Sequence, residues 1–186
     1  MIQVIFLGPP GAGKGTQAAC LAEWLKVPHV STGDILRHHV AEKTDLGQQA
    51  KSYMDEGDLV PDQLILDMIQ HRLEKPDAQP GWILDGFPRN VAQATFVETQ
   101  VVQTHEKAQE LQVINLDVPD EVIIQRLLAR GRQDDTEQII RHRLEVYREQ
   151  TAPLIEFYDG RNQLSHINGD KPVEEVTAQL KQSVAA

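Results

Sequence analysis

Short apolar runs alternate along the whole chain with longer segments of helical periodicity. The apolar runs predict five strands, at 3–7, 29–31, 82–85, 112–118 and 164–168. The remaining segments predict helices at 14–25, 34–42, 46–56, 62–74, 90–108, 120–129, 134–149, 152–160 and 173–184. Strands that alternate with helices are typical of an α/β protein whose parallel sheet is covered on both faces. The runs VIFL and WIL do not alternate with polar residues, which fits burial on both sides.

The second and third predicted strands lie far apart in the sequence. Roughly fifty residues separate them, whereas a parallel crossover needs only about a dozen or more. We therefore expect an inserted helical lobe at this point. Ligands of such sheets bind beyond the carboxyl ends of the strands. Three segments follow predicted strands and should meet at that edge: GPPGAGKGT (8–16), STGD (31–34) and DGFPR (85–89).

The first of these segments, 8–16, has the spacing G-x-x-x-x-G-K of a phosphate-binding loop. It follows a predicted strand and opens a predicted helix, which is the context that the motif requires. Glycines let successive backbone N–H groups turn toward phosphate oxygens, and the helix N-terminus adds partial positive charge. Lys14 supplies a full charge. The alternative is a glycine-rich turn that carries an exposed lysine.

The motif departs from its usual form after the lysine. Ser or Thr normally follows and binds Mg²⁺ through its hydroxyl, but here Gly15 follows and Thr16 comes next. We therefore expect the metal to be held mainly by phosphates, water and a carboxylate from elsewhere. Asp85 ends the buried run WIL at the ligand edge and is the candidate, because Mg²⁺ needs only one or two carboxylates. The alternative role of Asp85 is to cap the turn at Gly86.

Composition and charge narrow the class of protein. The net charge of −10 argues against non-specific binding of nucleic acid. No apolar run is long enough to span a bilayer, and the N-terminus lacks the pattern of a secretory signal. A single cysteine, Cys20, excludes an internal disulfide. We expect a cytoplasmic protein without a membrane partner, and a monomer because no apolar surface stripe indicates a dimer.

Four segments stand in order along the chain: GPPGAGKGTQ, STGDILR, LDGFPRNVAQ, and GRQDD followed by RHRLE. Together they resemble the adenylate kinases, within the nucleoside monophosphate kinases, from residue 2 to about residue 176. The resemblance implies a P-loop three-layer α/β/α fold with a five-stranded parallel sheet. It implies one kinase domain over 1–186, a monophosphate-binding lobe at 31–60 and a lid at 126–136. The lid departs from the family pattern and is expected to be very short, because only Gly131 separates Arg130 from Arg132. The implied reaction is ATP + AMP ⇌ 2 ADP, with Mg²⁺.

The resemblance also assigns site residues. The ATP positions would be Gly11, Ala12, Gly13, Lys14, Gly15, Thr16, Arg126, Arg130 and Lys171. The AMP positions would be Thr32, Arg37, Asp58, Leu59, Val60, Gly86, Phe87, Pro88, Arg89, Gln93, Arg132 and Arg143. The residues closest to phosphoryl transfer would be Lys14, Arg89, Arg132 and Arg143, and Asp85 would hold Mg²⁺ through water.

Residue chemistry supports parts of this assignment. Arg37 lies about one turn into a predicted helix, where its guanidinium could bind a phosphate through two hydrogen bonds, or remain an exposed helix arginine. Asp34 is expected to cap that helix. The Gln93 amide offers a donor and an acceptor to the edge of adenine. UMP/CMP kinases, the nearest alternative, typically have asparagine there and alanine where Thr32 stands. A P-loop nucleotide switch without transfer activity is a second alternative.

Six of the ten arginines lie between positions 126 and 148. They could serve a small anion or form a solvated, salt-bridged helix face. In the predicted helix 134–149, Arg143 shares a face with Ile140 and Leu144. A charge there needs an anionic partner, because leaving it unpaired costs roughly several kcal/mol. The partner could be the transferring phosphoryl group or a core carboxylate, whereas Arg141 and Arg148 are expected on the surface.

Overall fold

The computed structural model describes residues 2–102, 111–132 and 135–185. Five strands form one sheet: β1 (Ile2–Leu7), β2 (His29–Ser31), β3 (Gly81–Asp85), β4 (Gln112–Asp117) and β5 (Leu164–Asn168). Their order is β2-β3-β1-β4-β5, and all the pairings are parallel. The prediction of a five-stranded parallel sheet is therefore confirmed, with each strand end within one residue of its predicted position.

The helices occupy the predicted segments. They are α1 (Lys14–Leu25), α2 (Thr32–Ala41), α3 (Asp45–Glu56), α4 (Asp62–Leu73), α5 (Val91–Phe96), α6 (Asp120–Arg130), α7 (Glu137–Val146), α8 (Pro153–Asp159) and α9 (Val173–Ala185). A π-helical turn extends α5 over Val97–Val102, and another extends α7 over Tyr147–Thr151. The remainder of the predicted helix 90–108, from 103 onward, lies outside the described residues.

One prediction about helix capping is wrong. Helix α2 begins at Thr32, two residues earlier than predicted, and its N-cap is Ser31. The Ser31 hydroxyl oxygen accepts a hydrogen bond from the backbone N–H of Asp34 at 3.3 Å. Asp34 therefore lies inside the first turn, where its carboxylate pairs with Arg37 instead of capping the helix. A serine at the end of a strand can cap the next helix directly, so no extra turn is needed.

The sheet is buried on both faces, as its unbroken apolar strands predict. Ile5 of β1 packs in one cluster with residues of α2, α3, α4, α5 and α8. Its neighbours Val4 and Phe6 point to the other face and pack with residues of α1 and α9. A third, smaller cluster joins α6 to α7. The helices inserted between β2 and β3 therefore share the core of the sheet, which fixes where they meet the ligand edge.

Strand register brings the three candidate segments together. Asp85, the last residue of β3, is paired with Phe6 of β1 and with Ser31 of β2. The glycine loop, the start of α2 and the segment DGFPR therefore leave the sheet side by side, as predicted. Within the described ranges, no helix has the length and apolar character that a membrane span requires.

Candidate functional site

A cavity of about 750 Å³ opens where these three segments meet. Most of the site residues that the sequence predicts line this cavity. They are Gly11, Gly13, Lys14, Gly15, Thr16, Thr32, Arg37, Asp58, Leu59, Val60, Asp85, Gly86, Pro88, Arg89, Gln93, Arg126, Arg130, Arg132 and Arg143. The structure thus brings together residues from widely separated parts of the chain. Arg37, Arg89 and Arg143 face the same space as the glycine loop.

Three predicted site residues do not line this cavity. Ala12 and Phe87 are buried in the core, so their side chains support the loops and do not face the cavity. Lys171 is exposed in the segment between β5 and α9. Arg126 joins that segment to the cavity wall, because its guanidinium donates to the Gly169 carbonyl at 3.0 Å. The role of Lys171 beside ATP stays a prediction.

The Lys14 side chain folds back onto the glycine loop that precedes it. Gly13 has φ +96°, a left-handed conformation that side chains disfavour, and it immediately precedes α1. The Lys14 ammonium donates to the carbonyls of Gly8 at 2.8 Å and Pro9 at 3.0 Å. Burial lowers the pKa of Lys14 to about 8, and nearby Arg89 contributes in the same direction, although Asp85 opposes the shift. An anion at this position would favour the charged lysine.

Asp85 places a carboxylate beside this loop. Burial raises the pKa of Asp85, but a hydrogen bond to His29 and the charge of Lys14 outweigh burial, so the pKa lies below its ordinary value. The His29 Nε2–Asp85 Oδ2 distance is 3.4 Å. A Cβ on Gly15 would lie 3.3 Å from the same Oδ2. A serine or threonine at position 15 would therefore crowd the space in front of the carboxylate.

This donor set suits one kind of metal. Among the described residues, no group of three or more His, Cys, Asp or Glu side chains is placed to hold an ion. A cation beside Asp85 would take most of its ligands from phosphate and water. Mg²⁺ is commonly bound in that way, through one or two carboxylates together with substrate phosphates.

The loop after β3 is held in place by backbone carbonyls. Gly86 has φ +80°, and a Cβ there would lie 2.7 Å from the Thr32 hydroxyl. That hydroxyl donates to the Gly86 carbonyl at 2.9 Å, and Arg89 Nε donates to the same oxygen at 2.8 Å. The Thr151 hydroxyl donates to the Arg89 carbonyl at 2.7 Å. The Arg89 guanidinium is therefore directed by the glycine beside it.

Gln93 presents its amide in a fixed orientation. It is only 2% exposed, yet it lines the cavity. Its Oε1 accepts from the Arg89 backbone N–H at 2.7 Å, and its Nε2 donates to Asp62 Oδ1 at 2.7 Å. Asn90 Nδ2 donates to the same Asp62 oxygen at 3.0 Å, and Asn90 Oδ1 caps α5. The start of α4 is thereby joined to the start of α5.

Asp135 organises the arginines of α6 and α7. Its side chain is 0% exposed and accepts two hydrogen bonds from Arg130, at 2.8 and 2.6 Å. It also accepts from the Arg132 backbone N–H at 3.1 Å and lies 3.5 Å from Arg143 Nη1. Arg143, with a side chain 17% exposed, therefore has a buried carboxylate beside it and also faces the cavity. Both alternatives for its anionic partner remain compatible with this geometry.

The other arginines of this region behave as expected. Arg141 pairs with Glu137 one turn earlier, and its side chain is 61% exposed. Arg148 pairs with Asp120 of α6 and is also exposed. The prediction that these two lie on the surface is confirmed. They belong to the salt-bridged helix face that the charge pattern allowed, while Arg143 does not.

Positive charge dominates the cavity wall. The basic residues there are Lys14, Arg37, Arg89, Arg126, Arg130, Arg132 and Arg143, and the acidic ones are Asp34, Asp58 and Asp85. Burial lowers the pKa of Arg132, and the charges of Arg37 and Arg130 lower it further. Arg89 is exposed to the solvent of the cavity, yet desolvation by the surrounding wall lowers its pKa as well. The negative charge of Asp85 opposes this shift. These cations repel one another, and polyanionic ligands would relieve that repulsion.

The family model described as adenylate kinase matches residues 6–163. The chain belongs to the adenylate kinase family. The adenylate kinase of Trichodesmium erythraeum is 59% identical over 99% of this chain and 98% of its own length. Adenylate kinase 1 of Nostoc sp. is 56% identical over 100% of both chains. The adenylate kinase of Thermobifida fusca is 50% identical over 95% of this chain and 94% of its own length.

For this adenylate kinase family member, the segment between α6 and α7 is short. Helix α6 ends at Arg130 and α7 begins at Glu137, so it spans 131–136, of which 133 and 134 lie outside the described residues. Residues 126–130 of the predicted lid belong to α6. The bounds of the lid and of the lobe at 31–60 stay predictions.

Sequence reasoning missed several supporting residues. Asp135 stands in the quoted segment GRQDD, but spacing alone does not show that its carboxylate binds two arginines. His29, Asp62 and Thr151 each act across more than 25 positions of sequence, on Asp85, Gln93 and Arg89. Their only local signal is a polar residue at the first position of a strand or helix, as for His29 and Asp62, or shortly before a helix, as for Thr151.

Proposed function

We propose that this chain transfers the γ-phosphoryl group of ATP reversibly to AMP, giving two ADP, with Mg²⁺. The observation that carries the proposal is the convergence of one lysine and six arginines on one cavity. Two nucleotides must bring their phosphates together there, and their mutual repulsion opposes this. Fixed positive groups screen that repulsion and stabilise charge as it spreads in the transition state.

The glycine-loop end of the cavity suits ATP. The N-terminus of α1 directs backbone N–H groups toward bound phosphates. Lys14 adds a movable charge, and two of its three N–H donors contact loop carbonyls. Arg126 and Arg130 extend the basic surface from α6. Asp85 would hold Mg²⁺ through water, and Mg²⁺ bound to phosphate oxygens neutralises charge during transfer.

The opposite end suits AMP. Arg37 and Arg89 line the cavity together with Thr32, and a monophosphate there could accept hydrogen bonds from both guanidinium groups. Segment 57–60 would lie against the base, and Gln93 would recognise its edge. Arg132 and Arg143 also line the cavity, and in this proposal they contact the transferred group.

The transfer itself needs positioning more than a base. An AMP phosphate oxygen is already anionic near neutral pH, so it attacks the γ-phosphorus without losing a proton. The bond from that phosphorus to the β–γ bridging oxygen breaks, and its electron pair stays on the departing ADP. Lys14 and the arginines hold both partners in line, and closure around them excludes water that could otherwise be phosphorylated.

The choice of base is the finer part of the proposal. Thr32 and Gln93 favour adenine, and UMP/CMP kinase activity is the alternative. A panel of AMP, CMP, UMP and GMP with ATP and Mg²⁺ tests this directly. We expect AMP to give the highest kcat/KM, and faster turnover of CMP or UMP would overturn the adenine assignment. A nucleotide switch without transfer activity would turn over none of them.

We also infer a cytoplasmic monomer that binds neither nucleic acid nor membranes. The acidic net charge supports the lack of nucleic-acid binding. Light scattering of the purified protein at several concentrations tests the monomer, because a mass twice that of the chain would contradict it.

A further inference from the structure

Asp62 lies at a junction between two segments of the cavity wall. It is the first residue of α4, the last of the helices inserted between β2 and β3. Its Oδ1 accepts from Gln93 Nε2 at 2.7 Å and from Asn90 Nδ2 at 3.0 Å, across about thirty positions of sequence. Asp62 itself is not among the residues that line the cavity. Its effect on a ligand is therefore indirect, and Gln93 is the residue between them that lines the cavity.

We propose that Asp62 is a positioning residue that fixes which way the Gln93 amide faces, and so selects 6-aminopurine over 6-oxopurine monophosphates. This inference rests on the proposed function, because it concerns how the AMP base is recognised. It adds to that function a residue that no ligand contact would reveal.

The hydrogen-bond partners of the Gln93 amide fix which of its two polar groups faces each of them. An ionised carboxylate can only accept hydrogen bonds, so the Gln93 group that faces Asp62 must be the NH₂. The Arg89 backbone N–H can only donate, so the group that faces it must be the carbonyl oxygen. Reversing the amide would place oxygen against carboxylate and N–H against N–H. Buried polar groups would then be left without partners, which opposes the reversal.

The amide retains one N–H and one lone pair for a ligand. Adenine presents a donor, its 6-amino group, next to an acceptor, its ring nitrogen N1. A 6-oxopurine presents the reverse, an acceptor at position 6 next to an N1–H donor. An amide that cannot reverse satisfies one of these patterns and repels the other. Because sites built to hydrogen-bond a given edge reject its reverse strongly, a fixed amide gives large discrimination.

Asp62 has a second role that a test must separate. It lies in the first turn of α4, whose N-cap residue Pro61 provides no side-chain cap. A negative charge there stabilises the helix N-terminus, so removal of Asp62 weakens the helix as well as the contact to Gln93. Asp67 is an exposed aspartate farther along the same helix and is the matched control.

The test compares AMP with inosine monophosphate (IMP), which differs from AMP only at this edge of the base. In Asp62→Ala we expect KM for AMP to rise about tenfold, with kcat nearly unchanged, since the hydrogen bond that orients the Gln93 amide is lost. The ratio of kcat/KM for AMP over IMP should fall by about the same factor. Asp62→Asn should retain most of the selectivity, because its carbonyl can still accept from Gln93. Asp67→Ala should behave as the wild type.

Two further variants keep the outcome decisive. Asp62→Ser retains a polar start to α4 but is too short to reach Gln93, so it replaces Asp62→Ala if that variant fails to fold. In a Gln93→Ala background, loss of Asp62 should change neither KM for AMP nor the AMP-to-IMP ratio. An unchanged ratio in Asp62→Ser, or an equal loss in the Gln93→Ala background, would overturn the inference. A wild type that fails to phosphorylate AMP would instead overturn the proposed function.

Discussion

The glycine loop and the arginines around the cavity provide positive charge by different routes. At the glycine-loop end, one continuous segment, 8–16, provides the backbone N–H groups and the cation, and Lys14 is held by neutral carbonyls. Around the rest of the cavity, at both ends, the cations come from several elements and are held by carboxylates and backbone carbonyls. Those contacts are Arg37 to Asp34, Arg89 to the Gly86 carbonyl, and Arg130 and Arg143 to Asp135.

The glycine loop is therefore formed within one continuous segment, whereas the arginines around the cavity come from elements that lie far apart in the sequence. The loop end depends on turn geometry within a few residues, so a single change there should remove catalysis and leave the fold intact. The arginines around the cavity depend on packing between α2, α6, α7 and the loop after β3. Changes to its supporting carboxylates should therefore affect stability and turnover together.

The largest effect is expected at Lys14. Lys14→Ala removes the movable charge at the phosphates of ATP, and we expect kcat to fall by about 10²–10³-fold or more. The unfolding midpoint should change little, because the contacts that are lost are two hydrogen bonds within the glycine loop. Steady-state rates and denaturant unfolding measure the two effects. The exposed Lys51, changed to Ala, is the matched control, and near-normal turnover of Lys14→Ala would refute its role.

The next effect is expected at Arg89. In Arg89→Lys the charge is kept but the planar fork is lost, so binding of a phosphate through two hydrogen bonds is no longer possible. We expect kcat/KM for AMP to fall by about 10²-fold, with a much smaller change in KM for ATP. Initial rates with each nucleotide varied in turn measure both. Equal losses for AMP and ATP would contradict the separation of the two ends.

Replacement of Asp135 should lower both the stability of the protein and its turnover. Asp135→Asn removes the buried charge that binds Arg130 and lies beside Arg143, so we expect the free energy of unfolding to fall by about 1–3 kcal/mol. Turnover should fall by about tenfold, because both arginines lose their fixed position. Urea unfolding and kcat measure the pair of effects.

The matched control for Asp135 is Asp120, which pairs with Arg148 on the surface. Asp120→Asn should cost less than about 1 kcal/mol, as exposed ion pairs usually do, and leave turnover unchanged. If both variants lost the same stability and kept full activity, Asp135 would be a structural residue only.

The smallest effect concerns pH. Burial holds the pKa of Lys14 at about 8, below its value of 10.5 in the unfolded chain, so the protonated form is present below that pH. If the charged lysine binds ATP, kcat/KM for ATP should be level below pH 8 and fall about tenfold per unit above it. A rate that stays level up to pH 10 would show that Lys14 keeps its ordinary pKa. The profile for the Lys14→Ala variant, without this group, should not show the step.

Features that depend on a few neighbouring residues could be predicted from the sequence, whereas contacts between separate elements could not. The strands, the glycine loop and the position of Asp85 follow from periodicity and spacing, which act within a few residues, and the structure confirms them. The prediction that Asp34 caps α2 is wrong because Ser31 and Asp34 are both residues that cap helices well, and only the backbone geometry decides between them. The contacts of Asp62 and Asp135 could not be predicted, because they depend on how α4, α6 and α7 pack against other elements.

The most direct test of the account is the binding of a single molecule that carries two adenosines joined by five phosphates. If both ends of the cavity act together on a pair of nucleotides, calorimetry should give one ligand per chain, bound at least about a hundredfold more tightly than ATP or AMP alone. Arg89→Lys and Lys14→Ala should each weaken it. Binding no tighter than that of ATP, or two molecules per chain, would contradict the claim that the two ends form one site.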